Sequence, residues 1–178
     1  EHFPRRSHEK LESEAATRAE IQKGTTSVSF VIAAHTGFTR SLYEQASKGG
    51  MDPIYMKAAM EGPYAGHHQL DSYGHAVLFA GSSGITHQLS YLKPIIEGFN
   101  AGTIATRRMT LVWVMRDYEA LEWVRPWMDE VLRMPRRREI LNIRIFITRP
   151  KNPKEIQSQS STVQMFPGRP NCVTILKK

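Results

Sequence analysis

The segment from Phe79 to Leu89, FAGSSGITHQL, concentrates the chemistry of this chain. The small residues Gly81, Ser82, Ser83 and Gly84 leave the backbone open to close approach. They also open a helical pattern, and the first N–H groups of a helix have no acceptor inside it. The helix dipole adds positive potential at the same place, so a pyrophosphate suits the turn. The spacing is not the G-x-G-x-x-G of the dinucleotide fingerprint, and no Lys-Ser/Thr pair follows as in a P-loop. Ser82 and Ser83 raise a second chemistry, nucleophilic hydrolysis. A nucleophile elbow needs G-x-S-x-G, and Ile85 stands where the last glycine belongs. No Asp or His is placed as a partner, so no catalytic side chain is assigned.

Two arginines extend the anion theme. Arg116 closes the run Val114-Met115-Arg116-Asp117, which reads as the end of a second strand. At that edge of an open α/β sheet a guanidinium suits a ribose 2′-phosphate. The alternative is a surface arginine capped by Asp117. Arg169, within FPGRPN, is either an anion contact or part of a plain turn. His67, His68, His75 and His87 invite a metal reading. Glu61 and Asp71 are the nearby carboxylates, and no helical His pair has metal spacing, so no metal ligand is assigned. Trp113, Trp123 and Trp127 read as packing residues.

The elements that must hold these groups follow from periodicity. Lys10 to Lys23 reads as a surface helix or arm. Ser27 to Ala34 reads as a strand. Gly37 and Thr39 open a short helix through Leu42, Tyr43 and Ala46, and Lys48 to Pro53 is loop. Glu61 to Tyr73 reads as an interdomain connector. His75 to Ala80 is a buried parallel strand ending at Gly81. Gly84 to Phe99 has helical spacing, with Pro94 expected to strain or kink it. Arg108 to Met115 is the second strand, Tyr118 to Leu132 a helix, Ile140 to Thr148 the third strand, and Arg149 to Gln164 a polar loop. Strand and helix in alternation predict a parallel α/β sheet with right-handed crossovers.

Composition narrows the classes. The 178 residues are 40% hydrophobic and 23% charged, which is not a disordered composition. The most apolar stretch, Val77 to Ile96, is broken by Gly81, Ser82, Ser83, Gly84, His87, Lys93 and Pro94, so no transmembrane segment is predicted in this chain. One cysteine, Cys172, excludes an intrachain disulfide. The net charge of +7 suits an anionic partner. Its clusters, Arg5-Arg6, Arg107-Arg108, Arg136-Arg137-Arg138 and Lys177-Lys178, read as solvated surface. They are short and not interleaved with aromatics, which argues against nucleic acid.

Several segments in order resemble the cytosolic half of fungal ferric-chelate reductases. These belong to the ferredoxin reductase-like superfamily and are related to the NADPH oxidases. VSFVIAAHTGFTRSLYEQA resembles the end of that family's flavin domain. MEGPYAGHHQLDSYGHAVLFAGSSGITHQLSYLKPII resembles the domain junction and nicotinamide loop. LVWVMRDYEALEWVRPWMDEVL and VQMFPGRPN resemble its later landmarks.

The resemblance implies a parallel Rossmann-like sheet of the NADP-binding type, preceded by a partial flavin-domain β-barrel remnant. Residues 1–64 would be the partial FAD-binding domain with a polar N-terminal arm, and residues 65–178 an incomplete NAD(P)-binding domain. NADPH and FAD are the implied cofactors, with haem in a transmembrane domain of the full-length protein. Gly81, Ser82, Ser83, Gly84, Ile85 and Thr86 would bind NADPH, Arg116 the 2′-phosphate, Arg169 the cofactor, and Thr39 the FAD pyrophosphate. The implied function is electron transfer from NADPH through FAD and haem to extracellular ferric iron. The chain would lie at the cytoplasmic face of the plasma membrane as part of an integral membrane protein. A superoxide-generating NADPH oxidase and a truncated, non-catalytic remnant are the alternatives. Family members commonly read GPYGG and AGGSGIT, where this chain has Ala65 and Ser82. A side chain at Ser82 is expected to crowd the pyrophosphate or to demand positive φ. The first strand is expected mid-sheet, with one neighbour from sequence beyond Lys178. In this chain it is then an open edge, which favours self-association.

Overall fold

A computed structural model describes residues 28–50, 52–62, 69–153, 156–158 and 160–177. All the elements below belong to one compact unit, Val31–Lys178. The strands are β1 (His75–Gly81), β2 (Arg108–Met115), β3 (Leu141–Ile147) and β4 (Val163–Pro167). The helices are α1 (Phe38–Lys48), α2 (Ile85–Ala101), α3 (Arg125–Arg133), α4 (Arg137–Ile140) and α5 (Cys172–Leu176). The strands form one sheet in the order β1-β2-β3-β4, parallel throughout. Gly81 lies opposite Val114, Met115 opposite Ile147, and Ile147 opposite Pro167. The register therefore brings the C-terminal strand ends to a single edge.

Alternation along each strand sorts its side chains between two faces. Leu78, Ala80, Met109, Leu111, Trp113, Met115, Leu141, Ile143, Ile145 and Ile147 share one face. They form one core with Ile85, Leu92 and Ile96 of α2 and Val131 of α3. The opposite face carries Val77, Phe79, Val112, Arg144, Phe146 and Phe166. Val112 is fully buried there, but Phe79 is 37% exposed. Parallel sheets ordinarily cover both faces. Here β1 alternates between buried and open positions, so the expectation of a strand buried on both sides does not hold for it. Its position explains this, because among the described residues β1 pairs with β2 alone. Gln88 of α2 turns back and donates its side-chain amide to the Phe79 carbonyl on the open side, at 3.2 Å.

Several expectations need correction. Residues 28–35 form no strand, because a ladder needs a partner and no described segment supplies one. Tyr118 to Leu132 is not a single helix. A 3₁₀ turn spans Tyr118–Val124, started by Asp117, whose Oδ1 accepts the Glu119 N–H at 3.1 Å. A new α-helix starts at Arg125 with Pro126 in its first turn, the place where a missing N–H costs nothing. The Arg149 to Gln164 loop ends sooner, since β4 begins at Val163 and pairs with β3. The strand expected over Ile140 to Thr148 is Leu141–Ile147, with Ile140 in α4. Trp123 and Trp127 are 41% and 38% exposed, because the inward side of this segment is held by Ala120, Val124 and Val131. Arg137 breaks the solvated reading of its cluster. It is buried, and Nη1 donates to Thr162 Oγ1 at 2.8 Å, tying α4 to the start of β4. Burial, with Arg138 beside it, pushes its pKa down.

The helix after Gly84 runs on through Pro94, which lies on its solvent side. The proposed N-terminal surface helix and residues 63–68 of the connector lie outside the described residues.

Candidate nucleotide-binding site

The site begins where β1 runs out. Ser82–Gly84 form one 3₁₀ turn, and α2 starts directly at Ile85. The Ile85 N–H reaches both the Ser82 and Ser83 carbonyls. Thr86 Oγ1 donates to the Ser83 carbonyl at 3.1 Å, and the Trp113 indole N–H donates to the Ser82 carbonyl at 3.0 Å. The carbonyls are therefore turned inward. In a trans peptide the N–H points opposite to the C=O, so Ser83 and Gly84 present their N–H groups outward. A Cβ placed on Gly81 or Gly84 would meet nothing within 4 Å, so the turn is open to approach. This combination fits a pyrophosphate.

The positive φ of the loop falls on neither glycine. Gly81 has φ −113° and Gly84 −61°, while Ser82 has φ 49°. The demand foreseen for position 82 is thus real, and a serine meets it. Ile85 is fully buried with its N–H engaged, so it shapes the turn and presents no side chain to a ligand.

The cations stand along the same edge. Arg116 follows β2 directly. Asp117 Oδ1 accepts the Glu119 N–H, and among the described residues no ion pair joins Asp117 to Arg116, which is exposed. Sequence reasoning missed Arg149. Its backbone N–H donates to the Arg116 carbonyl at 2.9 Å, which sets a second exposed guanidinium on the neighbouring strand end. The signal was available as a Thr-Arg pair closing the apolar third strand. Arg169 follows Gly168, whose N–H donates to the Ile147 carbonyl at 2.8 Å, so it too belongs to this edge. The structure thus gathers Gly81 to Thr86, Arg116 and Arg169 at the C-terminal ends of the strands.

Thr39 is not brought there by any described contact. It lies in the first turn of α1, and its Oγ1 accepts the His35 N–H at 3.0 Å. Among the described residues no strand precedes β1, so nothing described offers a barrel for an isoalloxazine ring. The described histidines are placed locally: His75 Nε2 lies 3.5 Å from Thr110 Oγ1, and His87 meets Tyr91 edge-on. His67 and His68 lie outside the described residues.

A parallel sheet with an open-backed turn at the first strand end and guanidiniums beyond it defines an α/β dinucleotide-binding domain. Residues 73–178 match the ferric reductase NAD binding domain, and the chain belongs to that family. It is 33% identical over 90 residues to a probable cell surface ferric reductase, kap2, of Aspergillus oryzae, covering 50% of this chain and 12% of that protein. It is 32% identical over 108 residues to ferric/cupric reductase transmembrane component 7 of Saccharomyces cerevisiae, covering 58% of this chain and 15% of the relative. Dual oxidase 2 of Rattus norvegicus is 28% identical over 102 residues, 56% of this chain and 7% of the oxidase. The chain thus aligns with 15% or less of these relatives' lengths. No helix among the described residues is long and apolar enough to cross a membrane.

Proposed function

We propose that this chain is the NADPH-binding part of a membrane ferric-chelate reductase. Residues 65–178 hold the nucleotide and residues 1–64 contribute to a FAD-binding domain. A haem-bearing transmembrane domain of the same protein carries electrons onward to ferric iron outside, and the chain lies at the cytoplasmic face. The observation that carries the reading is the joint placement of the Ser82–Gly84 turn and the Arg116–Arg149 pair on one sheet edge. Bound NADPH supplies a hydride for FAD. The protein's part is to hold it by the diphosphate at the turn and by the 2′-phosphate at the guanidiniums.

Two named fungal reductases among the relatives support iron or copper as acceptor. The match to a dual oxidase supports a second reading, in which oxygen is reduced to superoxide by the same nucleotide domain. Assay of the intact reductase with NADPH separates them. Ferrous product insensitive to superoxide dismutase is the expected result. Superoxide as the main product would replace it with the oxidase reading. A non-catalytic remnant of either predicts neither product.

A further inference from the structure

We propose that Trp113 is a positioning residue for the nucleotide turn, an inference that rests on the NADPH reading above. Trp113 is 1% exposed, on β2 directly opposite Ala80. The small Ala80 side chain leaves room for the indole to reach past the end of β1. There its N–H meets the Ser82 carbonyl at 3.0 Å, joining residues 31 positions apart.

The bond falls on the one loop residue whose backbone is strained, since Ser82 holds φ 49° without being glycine. Left-handed backbone is disfavoured for a side-chain-bearing residue, so something must hold it. An indole N–H is a donor only, and inside a core it needs a partner. If the turn relaxed, the buried indole would lose its acceptor. Trp113 therefore couples the packing of the sheet to the conformation of Ser82. Through the fixed geometry of the trans peptide it also aims the Ser83 N–H at the diphosphate. Packing alone explains the burial of Trp113 but not the orientation of its N–H onto a strained carbonyl.

The test compares the full chain with Trp113→Phe, Ser82→Gly and the double variant. Phenylalanine keeps an aromatic core and removes the donor. Amide exchange around residues 83–85 should quicken in Trp113→Phe while that of β2 and β3 is unchanged. NADPH affinity should fall roughly 2–10-fold, the range for one lost hydrogen bond. Glycine adopts positive φ without strain, so Trp113→Phe should cost less affinity and loosen the turn less in the Ser82→Gly background. Faster exchange spread evenly over the sheet, or an equal effect in both backgrounds, overturns the proposal and leaves Trp113 a packing residue. Should the unaltered chain bind no NADPH, the binding reading fails, and the exchange pattern alone decides the role of Trp113. Should Trp113→Phe fail to fold, the indole proton of Trp113 in the unaltered chain decides. Exchange slower than at Trp123 and Trp127, and slowed further when Ser82→Gly relieves the strain on the acceptor, supports the coupling; no change or faster exchange on Ser82→Gly overturns it.

Discussion

The segment from Val31 to Gly62 and the sheet region from His75 to Leu176 are built from similar residues with opposite results. In the sheet region Met109, Leu111, Ile140, Leu141 and Ile147 are fully shielded from solvent. In the earlier segment Ile32, Phe38, Tyr43, Ile54, Tyr55 and Met60 are exposed, and α1 buries no residue at all. Apolar side chains are present in both, so composition does not separate them. What separates them is partnership. Each strand of the sheet region is the template for the next, whereas α1 contributes no residue to the core cluster. Burial comes from neighbours that answer a periodic pattern, and a single amphipathic helix supplies only half of that arrangement.

Substitutions that probe both regions give the largest expected contrast. Leu111→Ala should cost about 2–5 kcal/mol, enough to unfold a marginal domain. Tyr43→Ala should stay within about 0.5 kcal/mol, as for other exposed positions. Denaturant melts of the two variants check this, and equal losses would mean that α1 packs against a partner in solution.

Association is the next contrast. Phe79→Lys places a charge on the open strand β1 and should reduce self-association in sedimentation velocity. Tyr55→Lys should change it less. The reverse order would assign the sticky surface to the earlier segment. The purified chain should also be colourless and show no NADPH-dependent ferric reduction.

Ligand binding then sharpens the comparison. Arg116→Ala should weaken NADPH binding about ten- to a hundredfold and leave NADH nearly unchanged, because a charge-assisted contact to the 2′-phosphate contributes roughly 1.5–3 kcal/mol. Thr39→Ala should leave both affinities alone. Equal losses of NADPH and NADH binding in Arg116→Ala would remove it from the phosphate site.

The smallest effect is in acid. Arg125 and Arg136 hydrogen-bond to Glu122 and Glu139 and hold those carboxyls below their usual range. A depressed carboxyl pKa gives stability that is complete above the unfolded value and lost as pH falls through the folded one. Both pairs are exposed, so the melting temperature should change little from neutral pH down to about 5, and Glu139→Gln should alter only the acid limb.

The sheet was largely legible in the sequence. RMTLVWVM is bounded correctly at Arg108 and Met115, because a buried parallel strand needs an unbroken apolar run. The elements that were missed take their form from tertiary partners. VQMFP is too short to announce a strand and is one only because β3 offers an edge. Ser27 to Ala34 has strand composition, and among the described residues no edge is offered to Val28 to Ala34. At the site, the turn and Arg116 were visible as residue types. The inward orientation of the Ser82 carbonyl was not, since that carbonyl meets an indole 31 residues away. Arg137 was unreadable for a similar reason, as one arginine of three in a row is buried by Thr162 and its surroundings.

The order β1-β2-β3-β4 is also the order of synthesis. Each described strand pairs with the one before it in the chain, so every pairing within the described sheet joins sequence neighbours. A sheet that grows outward in one direction exposes one advancing edge at a time, while its first edge stays where it began. Gln88, nine residues after Phe79, lies on the helix between β1 and β2, so the group that meets that carbonyl precedes β2 in the chain. One strand–helix unit thus supplies both the edge of the described sheet and a side-chain donor that meets it.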